Sequence, residues 1–242
     1  MSQDDDDDQI SEGKVADSRS LLEAAFDADL LTQFEIFSYR NAATILRGSF
    51  PAQFAALQEA LRRMTITQSM IRAPGGSKGP IAKHVDTLFG PDWVEARISA
   101  DLNVKLVHAK QKEKVLRSYV REGYLDGHRI DFVNGKVAVD LEWNSKDQTY
   151  DRDLYAFSAF YDAGAIDVAV IITRGASLDN DYFKSLGKVL MPDGTEGKED
   201  VYRKFGASTT WMGKLLYRLD AGRNGGCPVL AIGITPRVIK AG

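Results

Sequence analysis

Residues 165–175, AIDVAVIITRG, form a nearly unbroken run of β-branched and small apolar side chains. A run of this kind suits a strand buried on both faces, inside a sheet that helices cover from two sides. The stretch NGGCPVLAIGITP (224–236) supplies a second. Helical periodicity lies between and before them. TYDRDLYAFSAFYDAG (149–164) places Tyr150, Leu154, Phe157 and Phe160 or Tyr161 on one face, and STTWMGKLLYRLDAG (208–222) closes on Gly222. The order expected from 113 onward is helix, strand, strand, helix, strand, helix, strand. The predicted fold class is therefore α/β: a mixed β-sheet flanked by helices, with a helical N-terminal part.

That N-terminal part is read from two stretches. SRSLLEAAFDADLLTQFEIFSYRNAATILRG (18–48) spaces its apolar residues by three and four. SFPAQFAALQEALRRM (49–64) has Ser49 as a cap, Pro51 in the first turn, and Phe54, Leu57, Leu61 and Met64 on one face. RAPGGSKGP (72–80) reads as a flexible connection. The Lys- and Arg-rich segment 95–127 reads as helix, then strand or helix, then turn. With 242 residues, 44% of them apolar, the chain suits one large domain or a core with an elaborated second lobe. The organisation expected is an acidic disordered tail over 1–12 and a single domain over 13–242. Its helical part covers about 13–110 and its α/β core about 111–242.

Several classes are set aside by composition. No run of about 18 apolar residues is present, so no segment is expected to span a membrane. The start, MSQDDDDDQISEGK, lacks the basic and apolar regions of a signal peptide. Cys227 is the one cysteine, which fits a reducing, cytoplasmic setting. His84, His108 and His128 are scattered, against a zinc site. The net charge is −3, of which Asp4–Asp8 supply −5, so the remaining chain sits near +2. This neither announces a nucleic-acid partner nor excludes one.

The chemistry is concentrated in HRIDFVNGKVAVDLEWNSKD (128–147). Period-2 alternation flanks Asn134-Gly135, a hairpin signal. Val137, Val139, Leu141 and Trp143 then face a core, while Ala138, Asp140, Glu142 and Asn144 face the other way. With Asn134-Gly135 as a two-residue turn, Asp131 is expected opposite Ala138 and diagonal to Asp140, within reach of a bridging ion. Crowded carboxylates repel one another and raise each other's pKa, and a hard cation such as Mg²⁺ relieves the repulsion. Two structural readings compete with this one. An antiparallel strand commonly shows a polar outer face, and Arg129 would lie opposite Asp140 as an ordinary ion pair.

These residues resemble the PD-(D/E)xK nuclease core, and among such enzymes the type II restriction endonucleases of the BglII/BstYI family, BstYI more closely. VAVDLEWNSKDQTYDRDLYAF, IITRG, KFGASTTWMGKLL and AGRNGGCPVLAIGI carry the likeness, over roughly 128–234. It implies Asp131, Asp140 and Glu142 as catalytic residues and Asp131, Asp140 and Leu141 as the Mg²⁺-binding positions. Glu142 stands where the family pattern usually has lysine, and it would serve as a base or an outer-shell ligand. Asn144, Ser145, Lys146, Arg152 and Arg174 fall where such enzymes contact DNA. Glu113 would lie on a preceding helix, most simply on its solvated face. Trp211 and Phe157 are expected in the core, and AGRNGG is a turn without a phosphate-loop lysine.

What the resemblance implies is a homodimer, since two-fold symmetry reads a palindrome. The double-stranded DNA target is expected to be centred on GATC, RGATCY over AGATCT, and cut to leave 5′ overhangs. A cognate methyltransferase would act on the same site. Two other readings stand beside it. One is a nuclease on this core without strict sequence preference. The other is a glycosidase using paired carboxylates, which the clustering of the acids on one hairpin disfavours.

Overall fold

The computed structural model describes residues 12–75 and 78–241. The expected tail therefore lies outside the described residues, except for Glu12. Six strands form the main sheet. They are β1 (Phe34–Tyr39), β3 (Val94–Val107), β4 (Val115–Asn134), β5 (Val137–Glu142), β6 (Val168–Arg174) and β9 (Val229–Ile234), in the order β1-β9-β6-β5-β4-β3. β5, β6 and β9 run parallel to one another; β1, β4 and β3 join antiparallel. Short strands β2 (Ile66–Thr67) with β10 (Ile239–Lys240), and β7 (Lys188–Leu190) with β8 (Glu196–Asp200), make two small pairs.

The run at 168–174 is buried at every position, as expected of a central strand. Its side chains alternate between two cores. Val168, Val170 and Ile172 pack with Val137, Val139, Leu230 and Ile232 against the N-terminal helices. Ala169 and Ile171 pack with Ala138, Val229 and Ala231 against α7 (Thr149–Asp162) and α9 (Met212–Asp220). The first layer includes α1 (Arg19–Ala25), α2 (Ala28–Gln33), α3 (Ala42–Ser49), α4 (Pro51–Arg63), α5 (Gln68–Arg72) and α6 (Pro80–Asp86). Helix α8 (Asn180–Ser185) lies in the 175–206 excursion and buries Phe183 in the same core. The architecture is thus the mixed, helix-covered α/β sheet expected.

Three local readings change. FEIFSY is strand β1, because its alternating residues pack along the edge of β9, with Phe34 opposite Ile234. Ser49 ends α3 instead of capping α4, whose cap position is Phe50. The segment 95–127, expected as helix, then strand or helix, then turn, holds no helix and is mostly one long two-stranded ribbon, β3–β4, paired from Val94–Val133 to Val107–Val115. Cross-strand pairing overrides the helical propensity of its lysines and glutamates. Glu113 sits in the exposed turn at the ribbon's tip, far along the chain from any helix.

Candidate active site

The hairpin forms with a register two residues removed from the expected one. Phe132 pairs with Val139, Val133 with Ala138 and Asn134 with Val137. The turn is Gly135-Lys136, and Gly135 takes the positive φ of +57° that its first position requires. Asn134 stays in the ladder, where its Oδ1 accepts from Gln53 of α4 at 3.1 Å. The acids come closer than expected: the ladder ends at Phe132–Val139, and this register carried one step further sets Asp131 opposite Asp140, not Ala138.

At that point side chains replace main-chain bonding. The Asp131 amide donates to Asp140 Oδ1 at 2.7 Å, and the Leu141 amide donates to Asp131 Oδ2 at 3.3 Å. Each carboxylate is thereby fixed at one oxygen. Arg129 takes no part, because it pairs with Glu95 across the ribbon at 3.3 Å. Asp140 and Glu142 occur on the α7 side with Ala138, as the alternation predicts. They are buried, however, at 5% and 7% exposure, because α7 covers this face. An open polar patch is not what the hairpin presents.

Burial raises the Asp140 carboxyl well above its ordinary range, and the nearby charges of Asp131 and Asp153 add to it. Asp131 is open to solvent but still raised, first by partial desolvation and then by the charges of Glu142, Asp86 and Glu95. Glu142 Oε2 accepts from Thr149 Oγ1 at 3.1 Å, and its Oε1 meets Arg152 Nη2 at 3.4 Å. The same guanidinium lies 2.8 Å from Asp153 Oδ1. Asp153 is 2% exposed, and burial with the charge of Glu142 pushes its carboxyl up to about 8 against the pull of Arg152.

Asp153 was not singled out by sequence reasoning. A signal existed: it interrupts the apolar face of α7 between Tyr150 and Leu154, where a carboxylate needs a reason to be buried. Glu95 and Asp86 were also missed, since the ribbon and α6 bring them close only in the fold.

The acids stand where two clefts meet. One, of about 480 Å³, is lined by Asp131, Glu142, Asn144 and Ser145 together with Lys78 and Lys204. The other, of about 270 Å³, is lined by Asp131, Asp140, Glu142 and Arg152. Asn144 Oδ1 is buried with no hydrogen-bond partner among the described residues. Ser145 donates its amide to Thr210 Oγ1 at 3.2 Å, and Lys146 is exposed while its backbone pairs with Thr209. Arg174 is only 5% exposed. It lies 5.2 Å from the ring centres of Phe183 and Phe205, which stack on each other, and donates to Thr209 Oγ1 and the Thr210 carbonyl. Burial brings its pKa down to about 10. Phe157 is fully buried, whereas Trp211, expected in the core, is only half-buried at the cap position before α9.

Among the described residues, no three His, Cys, Asp or Glu side chains converge tightly enough to hold an ion as they stand. The donor set nevertheless fits a hard cation. Asp131 and Asp140 offer crowded carboxylate oxygens whose charge is destabilised without one, and Leu141, next after Asp140, can offer only its backbone carbonyl.

A mixed sheet covered by helices, carrying paired acids at the end of a hairpin beside two clefts, defines a restriction-endonuclease-like α/β protein. Residues 34–234 match the model of the family described as restriction endonuclease BglII/BglIII. The chain belongs to this family, and it is a type II site-specific deoxyribonuclease. No curated protein matches the chain. No helix among the described residues is long and apolar enough to cross a membrane.

Proposed function

We propose that this endonuclease is a Mg²⁺-dependent homodimer that hydrolyses double-stranded DNA at a six-base-pair palindrome centred on GATC. RGATCY is favoured over AGATCT, and the cut leaves a four-base 5′ overhang. The observation that carries the chemistry is the 2.7 Å bond from the Asp131 amide to Asp140 Oδ1, which sets the two acids side by side, with buried Glu142 two residues beyond Asp140. The sequence preference rests on the likeness of the catalytic strand and its following loop to BstYI. A methyltransferase modifying the same site would protect the host DNA.

Asp131, Asp140 and the Leu141 carbonyl would hold the ion. When bound, Mg²⁺ supplies charge stabilisation at the phosphoryl oxygens and lowers the pKa of a water. Glu142 accepts the proton of the attacking water at a carboxylate oxygen. Thr149 and Arg152 fix that carboxylate from the other side. Asp153, holding a proton near neutral pH, limits the negative charge that the phosphate must approach. Arg152 is also exposed enough to meet a phosphate.

Base contacts fall to the loop after β5. The Asn144 side chain, whose Oδ1 is buried and without a partner as it stands, would have to turn outward to pair with an adenine. The exposed Lys146 suits N7, which both purines offer, and so tolerates either at the outer position. Arg174 acts through Thr209 and Thr210, whose backbone and hydroxyl hold Lys146 and Ser145 in place.

The test is digestion of a sequenced viral or plasmid DNA with Mg²⁺ and with EDTA, followed by sequencing of the fragment ends. GATC-centred ends, produced only with Mg²⁺, are expected. Ends without that core defeat the target assignment and leave the chemistry standing; full cutting in EDTA defeats the metal. Lys146→Ala is expected to cost about 1–3 kcal/mol on the cognate site and to change outer-base tolerance. An equal loss on every DNA would reassign Lys146 to the phosphate backbone.

A further inference from the structure

The β3–β4 ribbon carries more charge than the fold requires. Its outer half, residues 102–121, holds Lys105, Lys110, Lys112, Lys114, Arg117 and Arg121 against the single acid Glu113, a net of +5 on a chain of net −3, with Asp101 and Glu122 flanking it. All six basic residues are exposed, and no described carboxylate pairs with any of them. Elsewhere the surface cations are commonly paired, as Arg97 is with Asp126 and Arg129 with Glu95 nearer the ribbon's root. Arg117 and Arg121 instead lie over the rings of Tyr119 and Tyr124, 5.5 and 5.1 Å from their centres, which keeps both guanidiniums at the surface.

The ribbon is also continuous with the active site. β4 is one strand from Val115 to Asn134, so Asp131 and the basic tip belong to the same strand. Its root residues Gly127, His128 and Arg129 line the cleft that holds Asp131, Asp140 and Glu142. At about 3.3 Å per residue, the strand between Val115 and Asp131 reaches about 50 Å from the scissile position. That distance is about 15 base pairs of duplex.

We propose that the ribbon is a DNA-backbone arm. Its distal cations bind phosphates of the flanking duplex, well outside the recognised site and without regard to sequence. The proposal rests on DNA being the substrate of this family, not on the proposed recognition sequence. Leu106, Val107, Val115, Leu116 and Val120 are exposed on the same ribbon, so a second copy of the chain is the competing occupant. Charge decides between them. Two such outer halves laid together would bring net +5 against net +5, with Glu113 the one acid in each, whereas phosphates neutralise both.

The test uses the full-length protein in EDTA with two duplexes centred on the site at which the enzyme is found to cut, one of about 12 and one of about 40 base pairs, so that with the site in the cleft only the longer reaches the arm. The variant combines Lys105→Gln, Lys110→Gln, Lys112→Gln, Lys114→Gln and Arg117→Gln. None of these residues touches the acids. Wild type should bind the long duplex more tightly per site than the short one. The variant should lose about tenfold or more on the long duplex, little on the short one, and its salt slope should fall by up to about 4. Circular dichroism with an unchanged melting temperature certifies the fold. Equal affinity of the two proteins for the long duplex, or equal losses on both lengths, would overturn the proposal. A variant that changes sedimentation mass while keeping wild-type DNA affinity would overturn it in favour of an interface between copies.

Discussion

Asp140 accepts the amide of its neighbour Asp131 through one oxygen, a bond that an asparagine Oδ1 preserves. Asp140→Asn should therefore keep the fold, and should gain stability near neutral pH because a destabilised buried charge is gone. Cleavage should nevertheless be lost, measured on plasmid DNA alongside a melting curve. Glu142→Gln removes the proton acceptor while Thr149 and Arg152 can still hold the side chain. Single-turnover cutting should fall by about 10²–10⁴, with DNA affinity retained or tightened. Wild-type rates in this variant would make Glu142 a bystander. Asp153 gives a pH signature. Its folded carboxyl is raised from 3.8 to about 8, so below that window both states are protonated and above it both are ionised. In between, only the unfolded state has lost the proton, and stability falls as pH rises from about 4 to about 8. Asp153→Asn should flatten this slope and stabilise the protein at pH 8 by a few kcal/mol, read from urea midpoints across pH. An unchanged slope would move the titration elsewhere.

The elements differ in how plainly the chain announces them. β6 and β9 were legible because burial on both faces leaves an unbroken apolar run that polar residues cannot imitate. α7 was legible from Tyr150, Leu154 and Phe157. The face that Asp140 and Glu142 share followed from strand periodicity alone. The register did not, because Asn134-Gly135 and Gly135-Lys136 are both acceptable turns, and the choice is made by contacts such as Gln53 with Asn134. β1 was hidden inside a helical pattern, since its partner β9 lies 200 positions away at the pair Phe34–Ile234. The ribbon was hidden because exposed lysines and glutamates carry helix propensity and no core imposes a pattern. Where β6 ends, packing is tight. A methyl added at Gly175 would come within 2.8 Å of the Ile234 carbonyl and 2.9 Å of the Glu35 carboxylate. Glu35 caps the amides of Ala176 and Ser177 there. Gly175→Ala should cost about 1–3 kcal/mol in denaturant unfolding, and a neutral effect would show that this corner yields easily.

For the molecule as a whole, the crowded acids and the fold are thermodynamically linked. A cation that binds only the folded acid cluster stabilises it by mass action. Mg²⁺ should raise the melting temperature of the wild type but not of Asp131→Asn or Asp140→Asn, by calorimetry without DNA. An equal rise in all three would place the ion elsewhere. The sheet order has a kinetic side as well. β6 gains its outer neighbour only when β9 arrives, about 55 residues later in the chain, and β9 in turn is flanked by a strand from the opposite end of the sequence. Such pairings close the largest loops in the fold, and contacts between distant residues slow the search for the native state. Until β1 docks, the apolar edge of β9 is an open template for any other extended chain. Refolding should accordingly proceed on the slow, millisecond-to-second side of the usual range, with a concentration-dependent loss to aggregates that mutations in β1 aggravate more than mutations in the ribbon.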